Sequence, residues 1–206
     1  MRPEFVFLDL GNVIVSFDRE RAIRQMADAC GGDAAAIRGL VQESDLSEAL
    51  ERGRIDWPEF HREFSRRTQT RSDPAALAHA ASDMFTLKID MLPVIAGLER
   101  AGCRIGILSN TCDIHWRHLL AKRHSVLPGN FAVTVLSHEV GLLKPEAAIY
   151  ELATRLAGTA PERIFFCDDI PAHVVAARAA GWDAEVFTSA AMLADALDRR
   201  GINLGL

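Results

Sequence analysis

The chain has no apolar run long enough to cross a bilayer, no block of lysine or arginine, no internal repeat and no low-complexity tract. A transmembrane helix needs about 20 consecutive apolar residues, so a membrane-embedded reading is set aside. With no basic stripe and a formal net charge of -5, there is no electrostatic footprint for nucleic acid. Cysteine is sparse: Cys30, Cys103, Cys112 and Cys167 lack CxxC spacing, and three lie among apolar neighbours. They read as buried thiols of a reducing compartment, not as a disulfide or zinc framework. Arg2 opens the chain, but Asp9 and Asn12 interrupt the apolar stretch behind it, which makes a poor signal peptide. The expectation is a cytoplasmic globular protein: 206 residues, 49% hydrophobic and 25% charged, suit one large domain or a core with a modest insertion.

What is present begins with Phe5-Val6-Phe7-Leu8-Asp9, followed at once by Leu10-Gly11-Asn12-Val13. A short, continuously apolar run bounded by a turn suits a parallel strand covered on both faces. Ligands of open α/β sheets bind outside the carboxyl ends of such strands. An ionised Asp9 there is costly unless it is paired or bound to a cation; alone, it equally suits a turn cap.

Residues 18–85 change character, with helical spacing, repeated caps and no convincing strand. Ala22, Ile23, Met26, Ala27 and Cys30 share one helical face, closed by Gly31-Gly32. Asp33 caps a following turn over Ile37, Leu40 and Val41. Asp45-x-x-Glu48 and Asp56-x-x-Glu59 have capping-box spacing, and Asp73-Pro74 starts a helix through Met84. The expectation is a helical insertion of about four helices. From residue 90 helices and strands alternate: helix 91–101, strand 104–108, helix 113–122, strand 131–136, helix 146–157, strand 164–167, helix 171–180, strand 184–187 and a last helix to about 200. Alternation of this kind calls for right-handed βαβ crossovers and a parallel sheet. The fold class expected is α/β, a Rossmann-like doubly wound parallel sheet of residues 1–17 and 86–206, with residues 18–85 as an inserted α-helical cap.

Three further polar groups fall at predicted strand ends. Ser109-Asn110-Thr111 follows strand 104–108, where a hydroxyl and an amide can meet a ligand; alone, it equally suits a helix N-cap. Lys144 precedes Pro145, which suits the first helical position, so the lysine is expected near a helix N-terminus. That is a poor place for a cation unless an anion shares the site. Asp168-Asp169 ends the apolar run Ile164-Phe165-Phe166-Cys167, and two adjacent carboxylates repel unless a metal ion joins them. Carboxylate, hydroxyl-amide, ammonium and paired carboxylates at one sheet edge suit phosphoryl transfer assisted by Mg²⁺.

Phe7-Leu8-Asp9-Leu10-Gly11-Asn12-Val13, Leu108-Ser109-Asn110-Thr111, Gly141-Leu142-Leu143-Lys144-Pro145-Glu146 and Phe166-Cys167-Asp168-Asp169 resemble, in order, the four motifs of the haloacid dehalogenase (HAD) superfamily. The Leu10-Gly11-Asn12-Val13 form of the first motif and Glu51-Arg52-Gly53-Arg54-Ile55-Asp56 resemble the branch of alpha-D-glucose-1-phosphate phosphatases and the N-terminal phosphatase domain of soluble epoxide hydrolases. The resemblance implies Asp9 as nucleophile and Mg²⁺ ligand, with the Gly11 carbonyl as a second ligand. It implies Asp169 as the main acidic ligand of the last motif, supported by Asp168. Ser109 and Asn110 would hold phosphoryl oxygens, and Lys144 would neutralise the nucleophile and the bound phosphate. The helical insertion resembles a cap that closes over the site and selects the leaving group of a small phosphorylated metabolite.

Two positions depart from the superfamily pattern. Most of its phosphatases carry a second Asp, as general acid and base, where this chain has Gly11; the glucose-1-phosphatase-like branch commonly has Gly as well. Losing such a group costs typically about 10²–10⁴-fold, which favours activated substrates such as sugar-1-phosphates. His173 stands where the family usually has Asn or Asp. It is a candidate to orient Lys144 or a metal-bound water, or to act as base; a surface or capping histidine is the simpler expectation. His115 is placed close enough to line the pocket, whereas His61, His79, His124 and His138 read as surface positions. Trp57 and Phe60 are expected to pack in the helical core. Two other functions compete with phosphatase: a metal-independent 2-haloacid dehalogenase, which Asp168-Asp169 opposes, and a non-catalytic phospholigand-binding protein. No residue pattern distinguishes monomer from homodimer.

Overall fold

In the computed structural model, which describes residues 1–122, 127, 129 and 131–205, the chain starts with β1 (Phe5–Leu8) and a short β2 (Val15–Phe17). Helices α1 (Arg19–Cys30), α2 (Ala34–Glu43), α3 (Asp45–Glu51), α4 (Trp57–Thr68) and α5 (Pro74–Ser82) follow, then β3 (Phe85–Leu87). The rest alternates: α6 (Met91–Arg100), β4 (Arg104–Ser109), α7 (Asp113–Ala121), β5 (Val133–Leu136), α8 (Ser137–Val140), α9 (Ala147–Ala157), β6 (Ile164–Asp168), α10 (Pro171–Ala179), β7 (Asp183–Val186) and α11 (Ala190–Arg199).

Strands β5-β4-β1-β6-β7 form one parallel sheet in that order. Its helices cover both faces, as the expected doubly wound α/β fold requires. β1 is central and wholly buried. Val6 and Leu8 point into one apolar cluster with α6 and α11, and Phe5 and Phe7 into another with α9 and α10. Burying one such side chain stabilises by about 1.5–3 kcal/mol, so a charge in this strand is excluded until its end. Gly106 of β4 makes room for the two rings: a Cβ there would lie 2.7 Å from Phe7 and 2.8 Å from Phe5. Chain order departs from sheet order between β5 and β6, which lands on the far side of β1. The crevice beside β1 at the carboxyl edge is therefore the topological switch point, where ligands of such sheets bind.

The helical stretch has its own apolar core, built from Ile23, Met26, Ile37, Phe60, Phe64 and Leu77 among others, and Cys112 from the turn after β4 joins it. The sequence signals for its ends hold at most places. Asp33, Asp56 and Asp73 accept from backbone amides as N-caps, Asp56 and Glu59 complete a capping box, and Gly31 closes α1 with a φ of 65°.

Several expectations are corrected. Five helices stand in residues 18–85 rather than about four, and Ser44, not Asp45, caps α3. The stretch is joined at its base by β2 and β3, an antiparallel pair in which Phe17 faces Phe85; at three residues each, these strands are too short to show periodicity. Pro145 is not the first residue of α9, which starts at Ala147 after Glu146, and the Lys144–Pro145 peptide is cis. α8, four residues long, lies unforeseen between β5 and the Lys144 loop. His124 lies outside the described residues.

Candidate active site

At the carboxyl edge, β1 delivers Asp9, β4 delivers Ser109 and Asn110, and β6 delivers Asp168 and Asp169. The loop after α8 brings Lys144 across to them. Lys144 is only 3% exposed, and its Nζ donates to Asp9 Oδ1 at 2.8 Å, Asp168 Oδ2 at 2.6 Å and the Leu108 carbonyl at 2.9 Å. All three hydrogens of the ammonium are thus accepted. Burial alone would push Lys144 toward neutrality, but the Asp9 and Asp168 carboxylates outweigh it and hold its pKa above the ordinary value.

The two carboxylates on this ammonium are not equivalent. Burial raises Asp9 above the usual carboxylate range, and Lys144 offsets that only in part while Asp168 adds to it. Asp168 is just as deeply set, and burial raises it too, yet hydrogen bonds from His173 and Lys144 bring its pKa below normal. The Ile170 amide also donates to it at 2.8 Å. Asp168 is a pinned, ionised carboxylate, whereas Asp9, held by Lys144 through Oδ1, lines the cavity.

His173 is not the surface residue that was the simpler expectation. It is 7% exposed, and its Nδ1 lies 3.0 Å from both Asp168 oxygens. It reaches Lys144 only through that carboxylate. Tyr150 anchors it from behind by donating its hydroxyl to the His173 carbonyl at 2.9 Å.

Asn110 does more than the sequence suggested. Its amide nitrogen donates to the Lys144 carbonyl and its Oδ1 accepts from the Lys144 amide, both at 2.8 Å. This reciprocal clamp ties the β4 loop to the lysine loop and leaves one side-chain hydrogen and the main chain for a ligand. Ser109, 3% exposed, has only a 3.5 Å approach to the Asn110 carbonyl, so its hydroxyl is available.

Asn12 carried no role in the sequence reading. Its φ of 54° turns the chain after Gly11, and its Nδ2 donates to Asp169 Oδ2 at 2.8 Å. An Asn directly after Gly is a signal for such a left-handed turn. Asp9, Asp168 and Asp169 each offer an oxygen within 4.8 Å of the others.

Two adjoining cavities open here, of about 650 and 710 Å³, sharing Gly11, Phe17, Arg19, Glu51, Ser109 and Asn110. The second contains Asp9, Lys144, Asp169 and His173. The first runs toward the helical stretch and is lined by His115, as the sequence suggested, and by Trp57 and Phe60. Those two rings stack at 5.1 Å, and Phe60 is buried in the helical core as expected. Burial pushes His115 down to about 4, and its ring meets Phe85 edge-on at 5.3 Å. His79 is exposed, but His61 and His138, read as surface positions, are half-buried: His61 Nε2 lies 3.1 Å from Ser72 Oγ, and His138 Nδ1 lies 3.2 Å from the Thr111 carbonyl. Cys30, Cys112 and Cys167 are buried and all four cysteines are free. No helix among the described residues is long and apolar enough to cross a membrane.

A sheet switch point carrying these carboxylates, with a lysine drawn in from a separate loop, is a polar ligand site of the kind that doubly wound α/β sheets form at their carboxyl edge. The family model of haloacid dehalogenase-like hydrolases matches residues 4–181, and the chain belongs to that family. Among solved structures, a HAD family enzyme from Bacteroides thetaiotaomicron, in complex with magnesium and inorganic phosphate, is 25% identical over 91% of this chain and 95% of its own, with a TM-score of 0.82. A HAD-like family hydrolase from Porphyromonas gingivalis is also 25% identical, over 97% of this chain and 98% of its own, with a TM-score of 0.82. The L-2-haloacid dehalogenase of Xanthobacter autotrophicus, with chloropropionic acid covalently bound, shares the fold at 18% identity and a TM-score of 0.63, over 88% of this chain and 76% of its own.

Proposed function

We propose that this hydrolase is a Mg²⁺-dependent phosphatase of small phosphorylated metabolites. The observation that carries the reading is the cluster of Asp9, Asp168 and Asp169, oxygens within 4.8 Å of one another, beside one buried ammonium. Three carboxylates against one lysine leave negative charge that a hard divalent cation with oxygen ligands would neutralise. The donor set fits Mg²⁺, and the B. thetaiotaomicron relative, solved with magnesium and phosphate, supports the choice. Asp9 and Asp169 are the ligands favoured by their remaining oxygen lone pairs, with the Gly11 carbonyl beside them. Asp168, with its oxygens engaged by Lys144, Ile170 and His173, supports the site from beneath. When bound, the ion would neutralise phosphoryl oxygens and draw the phosphate toward Asp9.

Asp9 would attack phosphorus through its second carboxylate oxygen. The bond to the leaving-group oxygen breaks, an aspartyl-phosphate forms, and water then releases inorganic phosphate and restores Asp9. Lys144 holds the other Asp9 oxygen in place. Ser109 and the remaining Asn110 hydrogen would donate to phosphoryl oxygens. The helical stretch, residues 18–85, would act as the cap that excludes water and reads the leaving group.

Gly11 supplies no side-chain acid. A Cβ there would lie 3.0 Å from the Phe17 ring, so a side chain at this position would press on that ring. Leaving groups that depart without strong protonation, such as the anomeric oxygen of a sugar-1-phosphate, are the substrates this favours. A panel on which simple alkyl phosphates turned over fastest would refute that preference.

The test of the whole reading is phosphate release from a panel of phosphorylated metabolites in Mg²⁺ and in EDTA, with wild type beside D9N. Metal-dependent release lost in D9N is expected. Halide release from 2-haloacids without metal, and no phosphate release, would replace this reading by a dehalogenase.

A further inference from the structure

Glu51 is the last residue of α3, and it lines both cavities together with Ser109 and Asn110, while Trp57 and Phe60 line the first. Almost every other acidic side chain around it has a partner. Glu48 pairs with Arg52, Asp45 with Arg67, and Asp169 with Asn12. Among the described residues the Glu51 carboxylate has no hydrogen bond and no ion pair, although burial raises its pKa with only Arg19 opposing. An unpartnered carboxylate in a partly desolvated cavity costs free energy. Such a cost is expected where a ligand completes the hydrogen bonding.

The turn behind Glu51 is fixed to the rest of the protein. Arg52, its side chain 14% exposed, donates to Glu146 Oε1 at 2.5 Å and to Glu48 Oε1 at 2.7 Å. Glu146 in turn accepts from the Leu143 amide at 3.2 Å, one residue before Lys144. Gly53 has a φ of 62°, and a Cβ there would overlap the His138 carbonyl oxygen. Glu51 is therefore presented by a segment seated on the Lys144 loop and α8, not by a free tip.

We infer that Glu51 is the residue that reads the leaving group, accepting hydrogen bonds from hydroxyls of the departing alcohol, whose carbon skeleton lies on the Trp57–Phe60 face. The inference rests on the phosphatase reading and extends it by assigning selectivity to one side chain. The chemistry required is a donor aimed at a carboxylate, which a hydroxyl or an ammonium can supply. Asp45 and Glu48 on the same cavity are each paired with an arginine, and Arg19 lines it as well, which favours the uncharged hydroxyl over a cation.

The experiment uses the full chain in Mg²⁺ and compares wild type, E51Q and E51A on three probes: a hexose phosphate, phosphoethanolamine and 4-nitrophenyl phosphate, whose leaving group has no donor. The readout is kcat/KM for each of the first two divided by that for 4-nitrophenyl phosphate. E51A is expected to lower the hexose phosphate ratio by about 10- to 100-fold, the scale of one hydrogen bond to a charged group. E51Q, which keeps an acceptor but loses the charge, is expected to lose only about a few-fold. An unchanged ratio in E51A, with both substrates affected alike or neither affected, overturns the assignment. A phosphoethanolamine ratio that collapses in both variants while the hexose ratio holds overturns the hydroxyl in favour of an ammonium. Absence of phosphate release by wild type from every probe overturns the phosphatase reading and this inference with it.

Discussion

His173 places its Nδ1 3.0 Å from each carboxylate oxygen of Asp168. An ionised carboxylate only accepts, so this nitrogen carries the hydrogen. Lys144 binds the same carboxylate from the other side, and the three residues form one buried chain of donors and acceptor ending at Asp9. Removing a member leaves the next one unsatisfied.

The H173A variant is accordingly expected to lose about 1–3 kcal/mol of stability, the cost of an unmet hydrogen bond to a buried charged group. Phosphate release should fall as well, through misplacement of Lys144. H173N keeps an N–H within reach and should recover part of both. Urea unfolding and steady-state kinetics on the three proteins check this; H173A behaving as wild type in both would show that the pairing has no consequence.

K144M removes the cation between two buried carboxylates. Breaking a buried pair from one side costs about 3–5 kcal/mol, and the variant should unfold at correspondingly lower urea in EDTA. Mg²⁺ binds the folded carboxylate cluster and should restore part of the loss by mass action. Urea curves with and without Mg²⁺ decide it. Restoration of K144M by Mg²⁺ that fails in K144M/D169N would place the ion on Asp169.

His115 predicts a pH dependence. Burial sets its folded pKa at about 4, below the ordinary 6.5. Between those values the unfolded chain holds a proton that the folded one does not, so stability falls as pH drops from 6.5 toward 4. The slope from this single group is at most about 1.4 kcal/mol per pH unit. H115Q, which cannot titrate, should show a shallower decline over that window. Identical slopes for the two proteins from pH 6.5 to 4 would refute the contribution.

G53A tests the seating of the turn that carries Glu51. The substitution strains a φ of 62° and drives a methyl into the His138 carbonyl. A loss of about 1–3 kcal/mol is expected, the range for overpacking at a site that cannot relax. G39A, at an open helical position with nothing within 4 Å, should be neutral or slightly stabilising. Thermal unfolding of both proteins separates a specific clash from a general intolerance of substitution.

Much of the architecture was legible before any coordinates. Strand and helix are written in local periodicity, so the βαβ alternation, the caps at Asp33, Asp56 and Asp73 and the αL closure at Gly31 could be read residue by residue. The polar groups after β1, β4 and β6 were legible because each interrupts an apolar run that cannot bury a charge for nothing. Sequence by itself determined the class of fold, the family and the set of groups gathered at one sheet edge.

Tertiary structure decided how those groups pair. Asn110 clamps Lys144 across 34 residues and Asn12 holds Asp169 across 157; neither pair has any local signature. His173 looked like an exposed first-turn histidine until α10 packed on β6 and Tyr150 closed over it. The three-residue strands β2 and β3 find each other only because five helices fold back between them. Glu51 gained its interest solely from what surrounds it. Local propensity depends on neighbours in the chain, but a hydrogen bond, an ion pair or a desolvated carboxylate depends on neighbours in space, and those exist only once the sheet order has brought the loops together.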